Sequence, residues 1–202
     1  MQESEIILNK NSFVNELNQI LKNGGVIAFV TDTVWGLGCL PSSKQGVEKI
    51  YEIKGRDKSK PLILMSDEQQ NLMPYITNVS ETAKNLMKDY FPGALTVIAE
   101  KSELTPLYCT SGKNTVGVRV PDNTFFKKLC SVIDGHVLAT TSANHSNCPS
   151  SKTYEQALKS IGDVVDYVFP DYGFECKGLE STVVLAIDEN IKILRQGAVK
   201  LL

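Results

Sequence analysis

The chain has 202 residues, 42% of them hydrophobic and 22% charged, which is ordinary for a soluble globular protein and enough for one domain with a sizeable core. A formal net charge of −2 excludes a basic coat over the whole surface, so any nucleic-acid contact must use a local patch. The longest apolar stretches, "GVIAFV" and "VVLAI", are strand-length and far short of a membrane span.

The opening "MQESEIILNK" carries acids and amides where a secretion signal needs a basic flank and a longer apolar run. In "SFVNELNQILKN", Phe13, Leu17, Ile20 and Leu21 share one face and predict a helix ended by Gly24. "GVIAFVT" follows as a buried strand. "SKQGVEKIYEIK" repeats the helical pattern through Val47, Ile50 and Tyr51, and "PLILM" reads as the next strand. "SETAKNLMKDYF" predicts a helix with Ser80 as N-cap, stopped at Pro92-Gly93. Strands follow at "ALTVIA" and "TVGVRV", then a helix at "NTFFKKLCSVI" capped by Asp122, and a strand at "HVLATT". "TYEQALKSI" opens with a Thr153–Gln156 capping box. The tail holds "VDYVF", then "STVVLAI" and "IKILRQ" joined by the turn "DEN". Strands alternating with helices, with a hairpin near the end, predict an α/β fold with a mixed sheet. No repeat or linker divides the chain, so residues 1–202 read as one domain.

Several common chemistries lack their residues. The five cysteines, Cys39, Cys109, Cys130, Cys148 and Cys176, form no CxxC pair, and His136 and His145 are the only histidines. Zinc ribbons and knuckles are thereby excluded, and free thiols in a cytosolic protein are expected. A phosphate-binding P-loop fails in "LYCTSGKN", where Leu107 replaces the first glycine and Asn114 the Ser or Thr. "GLGCLP" ends in Pro41 where a dinucleotide fingerprint needs glycine, and no serine sits in a G-x-S-x-G elbow.

What remains is a set of polar stretches beside strands. "TDTVWGLG" follows the first strong strand, where ligand loops of α/β sheets begin. "KGRDKSKP" sets Lys54, Arg56, Lys58 and Lys60 on alternate positions between a helix and a strand. In "TVGVRV" the period of two places Thr115, Gly117 and Arg119 on one face, and the bare Gly117 is expected to leave room for a ligand above the sheet. "TTSANHS" spaces Thr140, Ser142 and Asn144 alternately after an apolar strand, and Ser181 and Arg195 lie in "ESTVV" and "LRQG". Singly, each has a plainer reading: cations complementing a helix end, an edge charge in a strand, a simple turn. Trp35 reads as packing rather than a stacking platform for a base.

Together and in this order, the stretches resemble the YrdC/TsaC family, the threonylcarbamoyl-AMP synthases. "TDTVWGLG", "KGRDKSKPLIL", "FPGALTVI", "VGVRVPD", "TTSANHS" and "ESTVV…ILRQG" match the family's blocks in register, from about Gly24 to Gly197. The resemblance implies a single-domain twisted mixed sheet with flanking helices and a concave, positively charged groove. It implies a nucleotidyltransferase that joins L-threonine, bicarbonate and ATP, with Mg2+, into threonylcarbamoyl-AMP and pyrophosphate. The product would pass to downstream tRNA threonylcarbamoyltransferase proteins; direct, weak tRNA binding stays open, and a cytoplasmic location without membrane contact is implied.

By the same resemblance, Lys54, Arg56, Ser142 and Asn144 carry the catalytic Lys-x-Arg and Ser-x-Asn pairs. Arg56, Lys60, Thr115, Ser142, Ser150 and Arg195 contact ATP, and Thr33, Arg119, Thr140 and Ser181 contact L-threonine. No protein-held metal is implied, and Lys58 is left to solvent. The chain departs from the pattern at Val30 and Gln196, where prolines are usual, at Trp35, where Tyr is common, and at Met65, where longer members place a histidine. Two alternatives stand beside the synthase: a paralogue that binds RNA without making the adenylate, and a carbamoyltransferase of hydrogenase maturation. The latter would bring an acylphosphatase domain and zinc-binding cysteines, and this sequence has neither.

Overall fold

The computed structural model describes residues 7–201; residues 1–6, which open the amide- and acid-rich start, and residue 202 lie outside the described residues. A ten-stranded mixed sheet runs in the order β10-β9-β5-β6-β3-β7-β2-β1-β8, with β4 added beside β5. The strands are β1 (Ile27–Phe29), β2 (Gly36–Cys39), β3 (Ile63–Ser66), β4 (Ile76–Thr77), β5 (Leu95–Lys101), β6 (Thr115–Arg119), β7 (Val137–Ser142), β8 (Tyr167–Val168), β9 (Thr182–Leu185) and β10 (Lys192–Arg195). The helices are α1 (Asn11–Lys22), α2 (Lys44–Lys54), a single turn α3 (Gln69–Leu72), α4 (Glu81–Tyr90), α5 (Thr124–Val132) and α6 (Tyr154–Ile161). β1/β8, β3/β6 and β5/β9 pair in parallel, and the other pairs are antiparallel. No helix among the described residues is long and apolar enough to cross a membrane.

The helix ends follow local chemistry. Ser43 accepts a hydrogen bond from Gly46 N at the start of α2, and Ser80 one from Ala83 N at the start of α4. α5 is capped one residue later than the sequence suggests: Asn123, buried and extended, accepts from Phe126 N at 2.8 Å. Asp122 stays exposed and lies 3.8 Å from Lys127. Thr153 caps α6 by accepting from Gln156 N, but the Gln156 side chain reaches back to Lys152 N rather than closing the box on Thr153.

The core lies between the sheet and these helices. Leu17 and Leu21 of α1 are buried, and Phe13 is half-buried, packing edge-on against Phe169 and Tyr167. Phe29 meets Phe126 with ring centroids 5.1 Å apart, and Phe125 meets Phe169 at 5.4 Å. β2 is a fully buried internal strand in a segment that the sequence reads as loop. Its glycine-rich "GLGC" looks unlike a strand because Phe29 lies across from Gly36, where a Cβ would come within 2.6 Å of the ring. Burial of the partner's aromatic ring dictates the glycine.

At the far edge, β9 and β10 form the expected hairpin, and β10 carries a β-bulge. Ile193 pairs with Val184, but Arg195 pairs with Val183, so Leu194 is the extra residue. All four β10 residues are exposed.

Candidate active site

One cavity of about 400 Å³ opens on the sheet, and its wall gathers nearly all the polar stretches of the sequence. Lys54 reaches it from the end of α2, Arg56 and Lys60 from the turn between α2 and β3, Arg119 from the end of β6, and Thr140, Ser142 and Asn144 from β7 and the loop after it. Thr33 enters from the loop between β1 and β2, Ser181 precedes β9, and Arg195 ends β10. Trp35 and Met65 also face the cavity. Trp35 is fully buried against Tyr154, with centroids 5.9 Å apart, so it packs as expected while forming part of the wall.

Arg119 anchors the buried part of the site. Its side chain is 2% exposed, and it donates to Asp32 Oδ1 at 2.5 Å, Thr33 Oγ1 at 2.9 Å and Gly93 O at 2.9 Å. Burial pushes the guanidinium pKa down and the Asp32 carboxylate opposes that shift. Thr31 fixes this loop by donating to Val34 O at 2.6 Å and accepting from Thr33 N at 3.2 Å. Asp32 is therefore a member of the site that sequence reading passed over, although it stands inside the quoted "TDT". Beside it Thr96 and Ser181 hydroxyls lie 2.9 Å apart, and Thr140 donates to Ile63 O at 3.1 Å.

Gly117 plays a different part from the one expected. A Cβ there would meet Ile63 Cγ2 at 2.9 Å and Thr96 Cγ2 at 3.1 Å. The space above this glycine is filled by those two side chains, which themselves line the cavity. The glycine admits neighbours, not a ligand.

Lys54 is the final residue of α2, and Gly55 turns the chain in the left-handed conformation directly after it. Its ammonium donates to Ser142 O at 2.5 Å, Asn144 O at 2.5 Å and Asn144 Oδ1 at 3.2 Å. An ammonium has three N–H bonds, so all are engaged. Ser146 N returns a bond to Lys54 O at 2.7 Å, and Asn144 Nδ2 donates to Cys148 O at 2.7 Å. The Lys-x-Arg and Ser-x-Asn stretches, far apart in sequence, thus form one network. Burial first, and then neighbouring Arg56, push the Lys54 pKa down to about 8, while Glu180 resists.

Arg56 is half-buried and braces its own loop, donating to Lys60 O at 3.1 Å and Pro61 O at 3.2 Å. Burial lowers its pKa too; Tyr51 and Glu180 act against that shift and Arg195 with it. Lys58 is exposed, as expected. Arg195 owes its place to the bulge at Leu194. Residues paired across a ladder share a face, and Val183 lies on the cavity wall. Without the extra residue Arg195 would pair one place further and point to the opposite face. Arg195 forms an ion pair with Glu180 and donates to Ser181 O at 2.9 Å.

Two predicted residues stand off the wall. Ser150 is one contact removed, donating to Glu180 Oε1 at 2.7 Å. Thr115 shares the face of Arg119, but it pairs with Glu100, beyond the Ile98–Gly117 pair where the wall ends. Glu180, the carboxylate among these cations, was not singled out from sequence; its position in "EST" beside the quoted serine was the available signal.

The arrangement suits chemistry by positioning. Fixed cations and hydroxyls surround the space, and no histidine lines it among the described residues. A profile for Sua5, YciO and YrdC proteins, described as telomere recombination, matches residues 19–197. A Vibrio vulnificus protein named threonylcarbamoyl-AMP synthase is 36% identical over 160 residues, covering 77% of this chain and 86% of the relative. The structure of P. abyssi Sua5 complexed with L-threonine superposes with a TM-score of 0.85 at 30% identity, covering 92% of this chain; the chain spans only 54% of that longer protein. E. coli YciO superposes at a TM-score of 0.81 and 26% identity, covering 92% of this chain and 89% of the other. Fold, block order and profile agree, and the chain belongs to the Sua5/YciO/YrdC family.

Proposed function

We propose that this protein is an L-threonylcarbamoyladenylate synthase, a nucleotidyltransferase that makes threonylcarbamoyl-AMP and pyrophosphate from L-threonine, bicarbonate and ATP. The observation that carries this reading is a single cavity in which a buried arginine with its threonine neighbour adjoins a cluster of cationic side chains, Lys54, Arg56, Lys60 and Arg195. Relatives that bear the synthase name match most of the chain, and a structural relative was solved with L-threonine.

In this reading the amine of threonine and bicarbonate combine to a carbamate, with loss of water. A carbamate oxygen attacks the α-phosphorus of ATP, the bond from that phosphorus to the bridging oxygen breaks, and pyrophosphate leaves. The reacting partners are all anionic, and holding them together against mutual repulsion is the main task. Arg119 is assigned the threonine carboxylate. Only three of its five N–H groups have partners among the described residues, and an Arg fork suits a carboxylate. Thr33, Thr140 and Ser181 are assigned the rest of the amino acid. Arg56, Lys60, Ser142 and Arg195 are assigned the nucleotide, together with Thr115 and Ser150, which stand just off the wall. Lys54, with its N–H groups engaged, is assigned the task of holding Ser142 and Asn144 in position.

Magnesium enters this scheme with ATP, as part of the substrate. The described residues contain no group of three or more His, Cys, Asp or Glu able to hold a metal, so phosphate oxygens and water would supply most of its ligands. When bound, it neutralises charge on the departing pyrophosphate. The product is expected to feed downstream tRNA threonylcarbamoyltransferase proteins.

The test is pyrophosphate release with ATP, L-threonine and labelled bicarbonate. Release that requires all three, with label recovered in the adenylate, supports the assignment. Equal release with valine in place of threonine would overturn it, because a site built around a hydroxyl rejects an analogue that lacks one.

A further inference from the structure

Glu180 is the carboxylate of the cation cluster, and no role has been assigned to it. Its backbone carbonyl is held by Ala198 N at 2.9 Å, and two residues on Thr182 N donates to Ala94 O at 3.0 Å. Its side chain is 37% exposed, and it touches two residues proposed to serve the nucleotide. One oxygen accepts from Ser150 Oγ at 2.7 Å, and the other pairs with Arg195. Its charge is also felt by Lys54 and Arg56. Three cations thus share one carboxylate.

A triphosphate that engages Arg195 competes with this carboxylate for the same N–H groups. Phosphate and carboxylate oxygens accept from a guanidinium in the same forked geometry. The exchange is cheap where the pair is solvated, because exposed ion pairs contribute little on their own. It is also reversible, since the carboxylate regains Arg195 as pyrophosphate departs.

We propose that Glu180 sets nucleotide affinity: it holds Arg195 and Ser150, yields them to the phosphates on binding, and reclaims them on release. Glu180 acts here through Arg195 and Ser150, as a positioning residue. This rests on the synthase reading above and adds to it that the cradle is tuned to bind phosphates less tightly than its cations allow. Its benefit is turnover, because the same cations grip substrate ATP and product pyrophosphate.

The test compares the full chain with Glu180→Gln and Glu180→Asp by calorimetric titration of ATP and, separately, of pyrophosphate, each with magnesium and with a chelator. Glu180→Gln is expected to tighten both ligands about two- to fivefold, the range for releasing an exposed ion pair. In steady state the KM for ATP falls and inhibition by pyrophosphate strengthens by a similar factor, with the KM for threonine unchanged. Glu180→Asp retains the charge and restores weaker binding. Tighter binding that persists in chelator supports exchange of anions. Weaker ATP binding in magnesium alone would make Glu180 a magnesium ligand and overturn the proposal. Unchanged affinities with a lower melting temperature would reduce it to a structural tie. If the unaltered protein binds ATP and only the variants fail to differ, this inference fails alone; if it binds no ATP at all, the synthase reading fails with it.

Discussion

Two arginine–carboxylate pairs serve the same cavity in opposite environments. Arg119 and Asp32 are 2% and 4% exposed, and the guanidinium is held from three sides. Arg195, on the edge strand β10, and Glu180, two residues before β9, are 46% and 37% exposed. The first pair is fixed when the core forms, and the second remains exchangeable with solvent and ligand. The difference matches what the proposed substrates need: a small amino acid calls for a rigid, selective seat, and a large polyanion must be gripped and then let go.

The largest effect expected from breaking this contrast is at Asp32. Asp32→Asn leaves Arg119 buried beside an uncharged partner and should cost about 3–5 kcal/mol, the usual penalty for stranding a buried charge. Guanidinium denaturation measures it, and the same experiment on Glu180→Gln should show a change below about 1 kcal/mol. Equal losses at both positions would erase the distinction.

Catalysis should lose most at the network between the pairs. Lys54→Ala and Arg56→Ala are each expected to cut pyrophosphate release about a hundredfold or more, as loss of one preorganised charge does. Lys54→Ala should also destabilise the fold by about 1–3 kcal/mol, since Ser142 O and Asn144 O lose their donor. Circular dichroism separates the two losses. Arg195→Ala comes next: its stability should stay within about 1 kcal/mol of the parent, while the KM for ATP rises about tenfold, as befits a lost charge-assisted bond.

A smaller, graded effect is expected with pH. Lys54 carries a pKa near 8 in the folded chain against an ordinary 10.5. Below pH 8 it is charged and donates to all three oxygens; above it, one donor is lost and the Ser142–Asn144 segment loosens. ATP affinity measured by titration should therefore decline through pH 8, and Lys54→Arg should remove that decline. The stability contribution has the opposite sign. Between about pH 8 and 10.5 the unfolded chain holds a proton that the folded chain has released, so this group's contribution to folding improves as pH rises. Smallest of all, Lys58→Ala should change neither rate nor stability, because the side chain is exposed and off the wall.

Much of this was legible in sequence, for reasons that particular residues make plain. Periodicity found α1 through Leu17 and Leu21, and Ser80 and Thr153 marked their helix starts because their hydroxyls accept from an otherwise unpaired first-turn N–H. β2 was hidden, since the glycine that fits beneath Phe29 depends on a contact between strands and not on local preference. The cap at Asn123 rather than Asp122 turned on which of two adjacent capping residues faced inward. Within the site, ten of the twelve residues singled out from sequence lie on the cavity wall, while Asp32 and Glu180 were passed over because an acid's partner is not written beside it. Nor could the bulge at Leu194 be read, although the orientation of Arg195 depends on it.

The order of strands in the sheet has a consequence for synthesis. β5, made at residues 95–101, lies between β6 and β9, and its parallel partner begins only at Thr182. Until that hairpin emerges, the nascent chain carries an open strand edge, of the kind that templates association between copies. The wall is likewise incomplete until Arg195 is translated. A prematurely terminated product lacking β10 would therefore retain the buried Arg119–Asp32 pair yet lack the cation at the rim, and slow codons placed before Thr182 should lower soluble yield more than the same codons placed before Thr124.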